Sequence, residues 1–230
     1  MKTIGLLGGM SWESSVLYEE LINTAVRTRL GGSHSADLFI RSYDFARIQE
    51  LQETGDWDAA GELLASDAQR LVAAGAEVIA LCTNTMHRCA DAVIEAIDVP
   101  FVHLIDATAT AITAAGLDTV GLLGTRFTME QEFSRERYES HGVTVLTPSE
   151  EERATVDRII YDELVRGELN RESREEYLDI IDRLSAAGAK GVIAGCTEIE
   201  LLISADDIFI PFFPTAEIHA RAIVEAAFAS

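Results

Sequence analysis

The sequence predicts an α/β protein of two pseudo-symmetric domains, each a four-stranded, mainly parallel sheet flanked by helices. Two observations carry this. Apolar runs of strand length alternate with helix-period segments, the pattern of a parallel sheet covered on both faces. The runs are continuous rather than alternating, as buried parallel strands require. A third observation doubles the unit: three segments recur in the same order roughly one half-chain later.

The chain begins Thr3-Ile4-Gly5-Leu6-Leu7-Gly8-Gly9-Met10-Ser11, which reads as a short buried strand entering a glycine turn. A helix follows over 13–30. Strand-length apolar runs come at 37–43, 77–81, 100–105, 118–123, 142–146, 191–194 and 208–212. Helical patterns occupy 57–74, 127–140, 150–166 and 172–187, and a last helix covers 215–229.

The repeat is read directly. Val120-Gly121-Leu122-Leu123-Gly124 echoes Ile4-Gly5-Leu6-Leu7-Gly8 at a spacing of 116. Leu184-Ser185-Ala186-Ala187-Gly188-Ala189 echoes Leu71-Val72-Ala73-Ala74-Gly75-Ala76 at 113, and Ile210-Pro211-Phe212 echoes Val99-Pro100-Phe101 at 111. The halves are therefore expected at 1–113 and 114–211. The C-terminal segment 212–230 must pack on one of them, and the expectation is the first.

Composition narrows the class. The 230 residues hold 18 Lys+Arg against 39 Asp+Glu, a formal charge of −21, which argues against a nucleic-acid partner. Hydrophobic residues reach 48%, which excludes a disordered chain. The longest apolar runs are too short to span a bilayer, so no membrane partner is expected. No basic and apolar leader opens the chain, and Cys82, Cys89 and Cys196 make no disulfide framework, so the expected location is a reducing cytoplasm. Only Lys2 and Lys190 are lysines; the acidic, lysine-poor balance fits a salt-loving source or a GC-rich genome equally. So negative a protein repels small anions, and an acidic ligand would need a few local cations.

Sites in α/β sheets form at the carboxyl ends of strands. Two strand ends carry polar residues directly after apolar runs: Val78-Ile79-Ala80-Leu81-Cys82-Thr83-Asn84-Thr85-Met86-His87 and Val192-Ile193-Ala194-Gly195-Cys196-Thr197-Glu198. A pseudo-twofold would set them across an interdomain cleft. Carrying the 113 spacing forward without a gap matches Thr83 with Cys196, Asn84 with Thr197 and Thr85 with Glu198, and leaves Cys82 in the strand packing. A one-residue gap would match Cys82 with Cys196 instead. The gapless register keeps the Ala-Ala-Gly-Ala match intact and is preferred.

With Gly8-Gly9-Met10-Ser11-Trp12-Glu13-Ser14, Cys82-Thr83-Asn84-Thr85-Met86-His87, Leu123-Gly124-Thr125-Arg126-Phe127-Thr128-Met129 and Gly195-Cys196-Thr197-Glu198, the chain resembles the aspartate/glutamate racemase superfamily over essentially its whole length. The resemblance implies two α/β domains, an active site between them, no cofactor or metal, an amino-acid substrate and usually a homodimer. It also implies a cysteine in each half, on opposite faces of the substrate Cα, one removing the α-proton and the other returning one. Here Asn84-Thr85 matches the family's Asn-Thr, so Thr83 stands in the first cysteine's slot and Cys82 comes one residue early; Cys196 is intact.

A threonine hydroxyl is a far poorer base than a thiol, which neighbouring donors can bring down toward neutral pH. The expected asymmetry is that Cys196 abstracts the proton while Thr83, or a water it holds, reprotonates the other face. Glu198 either orients or deprotonates the thiol, or is a carboxylate at a helix N-terminus. Asn84, Thr85, Thr125 and Thr197 are candidate donors to the substrate carboxylate, or simple N-caps. Met10 lies in the turn that resembles the family's first substrate loop. Arg47 is the first candidate for a side-chain carboxylate, followed by Arg126 and Arg166. His87 either supports the first motif or is a satisfied buried histidine, and Cys89 reads as a buried apolar residue. His34, His103, His141 and His219 lack metal-ligand spacing. Asp106 and Glu217 match at 111, as second-layer carboxylates or helix-start residues. No G-x-G-x-x-G or Walker pattern occurs.

The expected activity is a pyridoxal-phosphate-independent racemase of aspartate or glutamate. Its rivals are a hydantoin racemase, a maleate isomerase or an arylmalonate decarboxylase-like enzyme, and a catalytically silent amino-acid-binding protein.

Overall fold

A computed structural model describes residues 1–229; Ser230, the end of the expected 212–230 segment, lies outside the described residues. The elements run β1 (Ile4–Gly8), α1 (Trp12–Leu30), β2 (Leu38–Ser42), α2 (Phe45–Thr54), α3 (Trp57–Ala74), β3 (Val78–Leu81), α4 (Ala90–Ala96), β4 (Phe101–Val102) and α5 (Leu104–Ala114). They continue with β5 (Thr119–Leu123), α6 (Arg126–Glu130), α7 (Glu132–Ser140), β6 (Thr144–Leu146), α8 (Glu150–Asp162), α9 (Arg171–Ala186), β7 (Val192–Ala194), α10 (Ile199–Leu202), β8 (Phe212–Pro214) and α11 (Thr215–Phe228). The chain divides into two compact units, 1–104 with 216–230, and 105–215. Residue 113 falls in the last turn of α5.

Each unit holds a four-stranded sheet, ordered β2-β1-β3-β4 and β6-β5-β7-β8. Every pairing is parallel. The sequence repeat is the strand register itself. Gly5 pairs with Ile79 as Gly121 pairs with Val192, and Ile79 pairs with Phe101 as Val192 pairs with Phe212. These pairs reproduce the spacings of 116, 113 and 111. The repeated glycines have one cause: a Cβ at Gly5 would meet the Leu71 side chain at 3.3 Å, and one at Gly121 would meet Leu184 at 2.9 Å. Each lets the long helix of its unit lie close on the central strand.

In the first unit, strand alternation sorts side chains to two faces. Leu7, Ile79 and Leu81 pack with Ile48, Leu64, Ala68 and Val93. Ile4, Leu6, Ala80 and Cys82 pack with Tyr18, Ile22, Val26, Ile223 and Val224, so α1 and α11 cover the same face. Burial of each such aliphatic side chain contributes about 1.5–3 kcal/mol.

Several expected elements are corrected. The run at 100–105 is strand only at Phe101–Val102, because Leu104 already opens α5. The run at 208–212 is displaced to Phe212–Pro214; Phe209 is fully exposed and Phe213 faces the core. The 127–140 helix breaks at Gln131, whose extended backbone (φ −83°, ψ 133°) separates α6 from α7. The 150–166 helix stops at Asp162, and a single 3₁₀ turn, Leu164–Arg166, follows. β2 is an edge strand with Phe39 and Ile40 exposed, not a strand buried on both faces. Helices α2, α4, α5 and α10 were not anticipated.

Candidate active site

The first unit brings its candidate residues to the carboxyl end of its sheet. β1 ends in a turn at Gly9 (φ +80°), where a Cβ would sit 2.2 Å from the Tyr43 backbone nitrogen, so only glycine fits the crossing. The Gly9 N–H donates to Ser15 Oγ at 2.6 Å, and Ser11 caps α1 by accepting from the Ser14 N–H. Met10 is buried in the cluster that holds Tyr43 and Ile48. Arg47 lies in the first turn of α2, which Asp44 caps, and is exposed. Among the described residues no carboxylate pairs with it, whereas Arg41 is committed to the buried Asp67 at 3.0 Å and lies over the Tyr43 ring.

Thr83 stands two residues beyond the end of β3, followed by Asn84 and by the 3₁₀ turn Thr85–Cys89. All three of Thr83, Asn84 and Thr85 are half-buried. Cys82 is 1% exposed and lies in the core face lined by α1 and α11; burial pushes its thiol far above the ordinary range. Cys89 is buried as well, and burial raises its thiol to about 11. His87 is 3% exposed, with Nδ1 2.5 Å from the Thr83 carbonyl oxygen and Nε2 accepting from the Leu104 N–H at 3.1 Å.

The second unit builds the corresponding end. Cys196 stands two residues beyond β7, as Thr83 does beyond β3. Its Sγ donates to Glu198 Oε2 at 2.8 Å, and Thr197 Oγ1 donates to the same oxygen at 2.9 Å. Burial first, then the Glu198 carboxylate, pushes the thiol well above its ordinary value; the Glu198 backbone N–H works against this. The expected downward shift of this thiol is thus overturned: the nearest polar partner is an acceptor with negative charge, not a donor. Chemically, the pair can pass a proton from sulfur to carboxylate. Glu198 also directly precedes α10, a helix of only four residues.

Thr125 caps α6, accepting from the Thr128 N–H. Arg126 is tied to Glu130 at 3.2 Å and is half exposed, and Arg166 is exposed. Asp106 is bidentate to Arg137 (2.6 and 2.7 Å) and meets His141 at 2.9 Å, which makes it an ion-pair anchor on α5. Glu217 pairs with Arg221 one turn along α11. Among the described residues no group of three or more His, Cys, Asp or Glu is placed to hold a metal, and no helix is long and apolar enough to cross a membrane.

Sequence reasoning missed Tyr161, which lies near Cys196, and Asp157 beside it. Asp157 accepts the Arg126 N–H at 2.8 Å. Tyr161 has its hydroxyl raised to about 12 by burial, then by Asp157, Cys196 and Glu198. They lie four apart on α8, a one-face spacing that could have flagged them.

A family model described as Asp/Glu/Hydantoin racemase matches residues 7–223. A solved structure from Yersinia pestis, of a candidate Asp/Glu racemase, is 49% identical over 100% of both chains, with a TM-score of 0.96. An aspartate racemase homologue from Pyrococcus horikoshii OT3 is 35% identical over 100% of both chains, with a TM-score of 0.90. An aspartate racemase from Picrophilus torridus, 20% identical over 99% of this chain and 94% of its own, has a TM-score of 0.74 and shares the fold.

Proposed function

This chain belongs to the Asp/Glu/Hydantoin racemase family, and on that premise we propose that it is a cofactor-independent racemase of aspartate or glutamate. Its substrate is an amino acid. The observation that carries the reading is the Cys196 thiol donating to Glu198 at 2.8 Å, in register with Thr83 at the matching strand end. Glu198 takes the thiol proton, and the Cys196 thiolate removes the α-proton of the substrate. The carbanion then takes a proton on its other face from the Thr83 hydroxyl or a water it holds; Glu198 gives up the proton it took to solvent, and solvent restores that of Thr83.

Asn84, Thr85, Thr125 and the Met10 N–H of the first turn are assigned to the α-carboxylate; the Thr197 hydroxyl, sequence candidate for the same role, gives its proton to Glu198 instead and steadies that carboxylate. Arg47, which among the described residues pairs with no carboxylate, is assigned to the side-chain carboxylate, where a guanidinium fork suits two oxygens. The free cysteines fit a reducing cytoplasm, and a homodimer belongs to the same reading. A single thiol also suits a decarboxylase or isomerase on this fold, because such reactions need one proton delivered to one face.

The test is a panel of L- and D-amino acids incubated with the enzyme in D2O. Deuterium uptake at Cα with formation of the opposite enantiomer is expected from aspartate or glutamate. No uptake from any amino acid would sink the racemase reading. Binding without uptake would make the protein an amino-acid-binding module.

A further inference from the structure

We propose that His87 is a positioning residue for Thr83: a neutral imidazole that clamps the Thr83 peptide to the start of α5 and so sets where the hydroxyl points. The inference rests on the assignment of Thr83 as the second proton-transfer group.

Hydrogen bonding fixes the tautomer. The Leu104 N–H is a donor, so Nε2, 3.1 Å away, accepts and carries no proton. A neutral ring then carries its proton on Nδ1, which donates to the Thr83 carbonyl at 2.5 Å. An imidazolium would set an N–H against the Leu104 N–H. Leu104 opens α5, and its N–H is among those that a helix leaves without an internal acceptor. One ring therefore satisfies the helix start and the carbonyl of the strand-end residue.

The ring has little freedom to turn. His103 and His219 pack edge-on, at 4.5 and 5.8 Å between centroids, and Phe101 lies tilted at 6.0 Å. His219 is itself held, donating from Nε2 to the Val102 carbonyl and accepting from the Tyr18 hydroxyl, both at 2.8 Å. The His87 backbone N–H closes the loop on the Asn84 carbonyl at 3.1 Å.

The matching turn of the second unit is built differently. There the Cys196 carbonyl takes the Ile199 N–H at 3.1 Å, and the residue that corresponds to His87 is Glu200. The Cys196 thiol has a carboxylate in contact to take its proton and so tolerates a loosely aimed transfer. A threonine hydroxyl does not, and its geometry must compensate; a misplacement of about 1 Å can cost on the order of 100-fold.

The experiment compares wild type, His87→Ala and His87→Asn in D2O with L-aspartate and L-glutamate. It measures deuterium incorporated with inversion against deuterium incorporated with retention. If Thr83 delivery alone is impaired, intermediates return to the Cys196 face, so His87→Ala lowers the inversion-to-retention ratio about tenfold or more. His87→Asn, whose amide can still donate to the Thr83 carbonyl, recovers most of it. A ratio unchanged while both rates fall together, or an asparagine variant no better than alanine, would overturn the inference. Imidazole ¹⁵N spectra of the wild type should show protonated Nδ1 and bare Nε2 at His87; the reverse tautomer also overturns it. A wild type that exchanges no amino acid overturns the racemase reading, and the tautomer then decides the clamp alone.

Discussion

The two sheet ends share a topology and a register, yet they carry opposite chemistry. In the second unit a thiol rests on a carboxylate, so a proton acceptor lies in direct contact with the acid. In the first unit the matching position is a hydroxyl, and what stands behind it is a buried set of histidines bonded to main chain. The comparison teaches that the repeat conserves where a residue is presented, not what it does. Sheet register puts Thr83 and Cys196 two residues past their strands; local side chains then set a carboxylate against the thiol at one end and an imidazole against the Thr83 carbonyl at the other.

The largest break in that comparison is removal of the thiol. Cys196→Ala should lower kcat/KM by about 10²–10⁴-fold, the usual range for one acid–base group, while Cys82→Ala and Cys89→Ala stay within a few-fold. Steady-state racemisation followed by chiral chromatography decides it. Loss of activity in Cys82→Ala with a competent Cys196→Ala would reverse the register.

Glu198→Gln comes next. The amide removes a negative charge and weakens the acceptor that holds the thiol proton, so the Cys196 thiol falls toward its ordinary value. Alkylation of Cys196 by iodoacetamide at pH 7 should speed up, since a more acidic thiol holds more thiolate at a given pH. Racemisation should fall at the same time. Faster alkylation with unchanged racemisation would leave Glu198 an electrostatic neighbour only.

Thr83→Cys should narrow the asymmetry. Equal stability of the enantiomers forces kcat/KM to be equal in the two directions, so the expected change is in kcat, with the weaker direction rising several-fold. Full progress curves from each enantiomer test this. If neither direction changes while Cys82→Ala is inactive, Thr83 is not the group.

Much of this was legible in the sequence because it is periodic or repeated. Continuous apolar runs gave strands, and the spacings 116, 113 and 111 turned out to be strand pairings. What was not legible depends on tertiary contacts. Leu104 reads as strand, but it opens a helix once His87 supplies its N–H with an acceptor. The Cys196 thiol reads as activated from its motif, yet its acidity is set by a carboxylate two residues on and by burial. Tyr161 is far from Cys196 in the chain, and only the packing of α8 puts it, with Asp157 one turn before it, near the thiol.

The smallest expected effect concerns the histidines behind the first end. His219 is fully buried and burial lowers it to about 4, against an ordinary 6.5. Above pH 6.5 the ring is neutral in folded and unfolded chains alike, and stability does not depend on it. Between pH 6.5 and 4 the unfolded chain binds a proton that the folded chain refuses, so stability falls as pH falls through this window. From pH 7 to 5.5 the loss is about 1 kcal/mol, or a Tm lower by roughly 2–4 °C for a chain of this size. His87 and His103 share the cluster, so the measurement is a difference: Tm against pH for wild type and for His219→Gln, whose amide cannot titrate. The glutamine variant should start less stable and show a shallower decline over this window. Parallel curves would mean that the acid sensitivity lies elsewhere, and the contrast between a carboxylate-backed end and a histidine-backed end would then have no signature in stability.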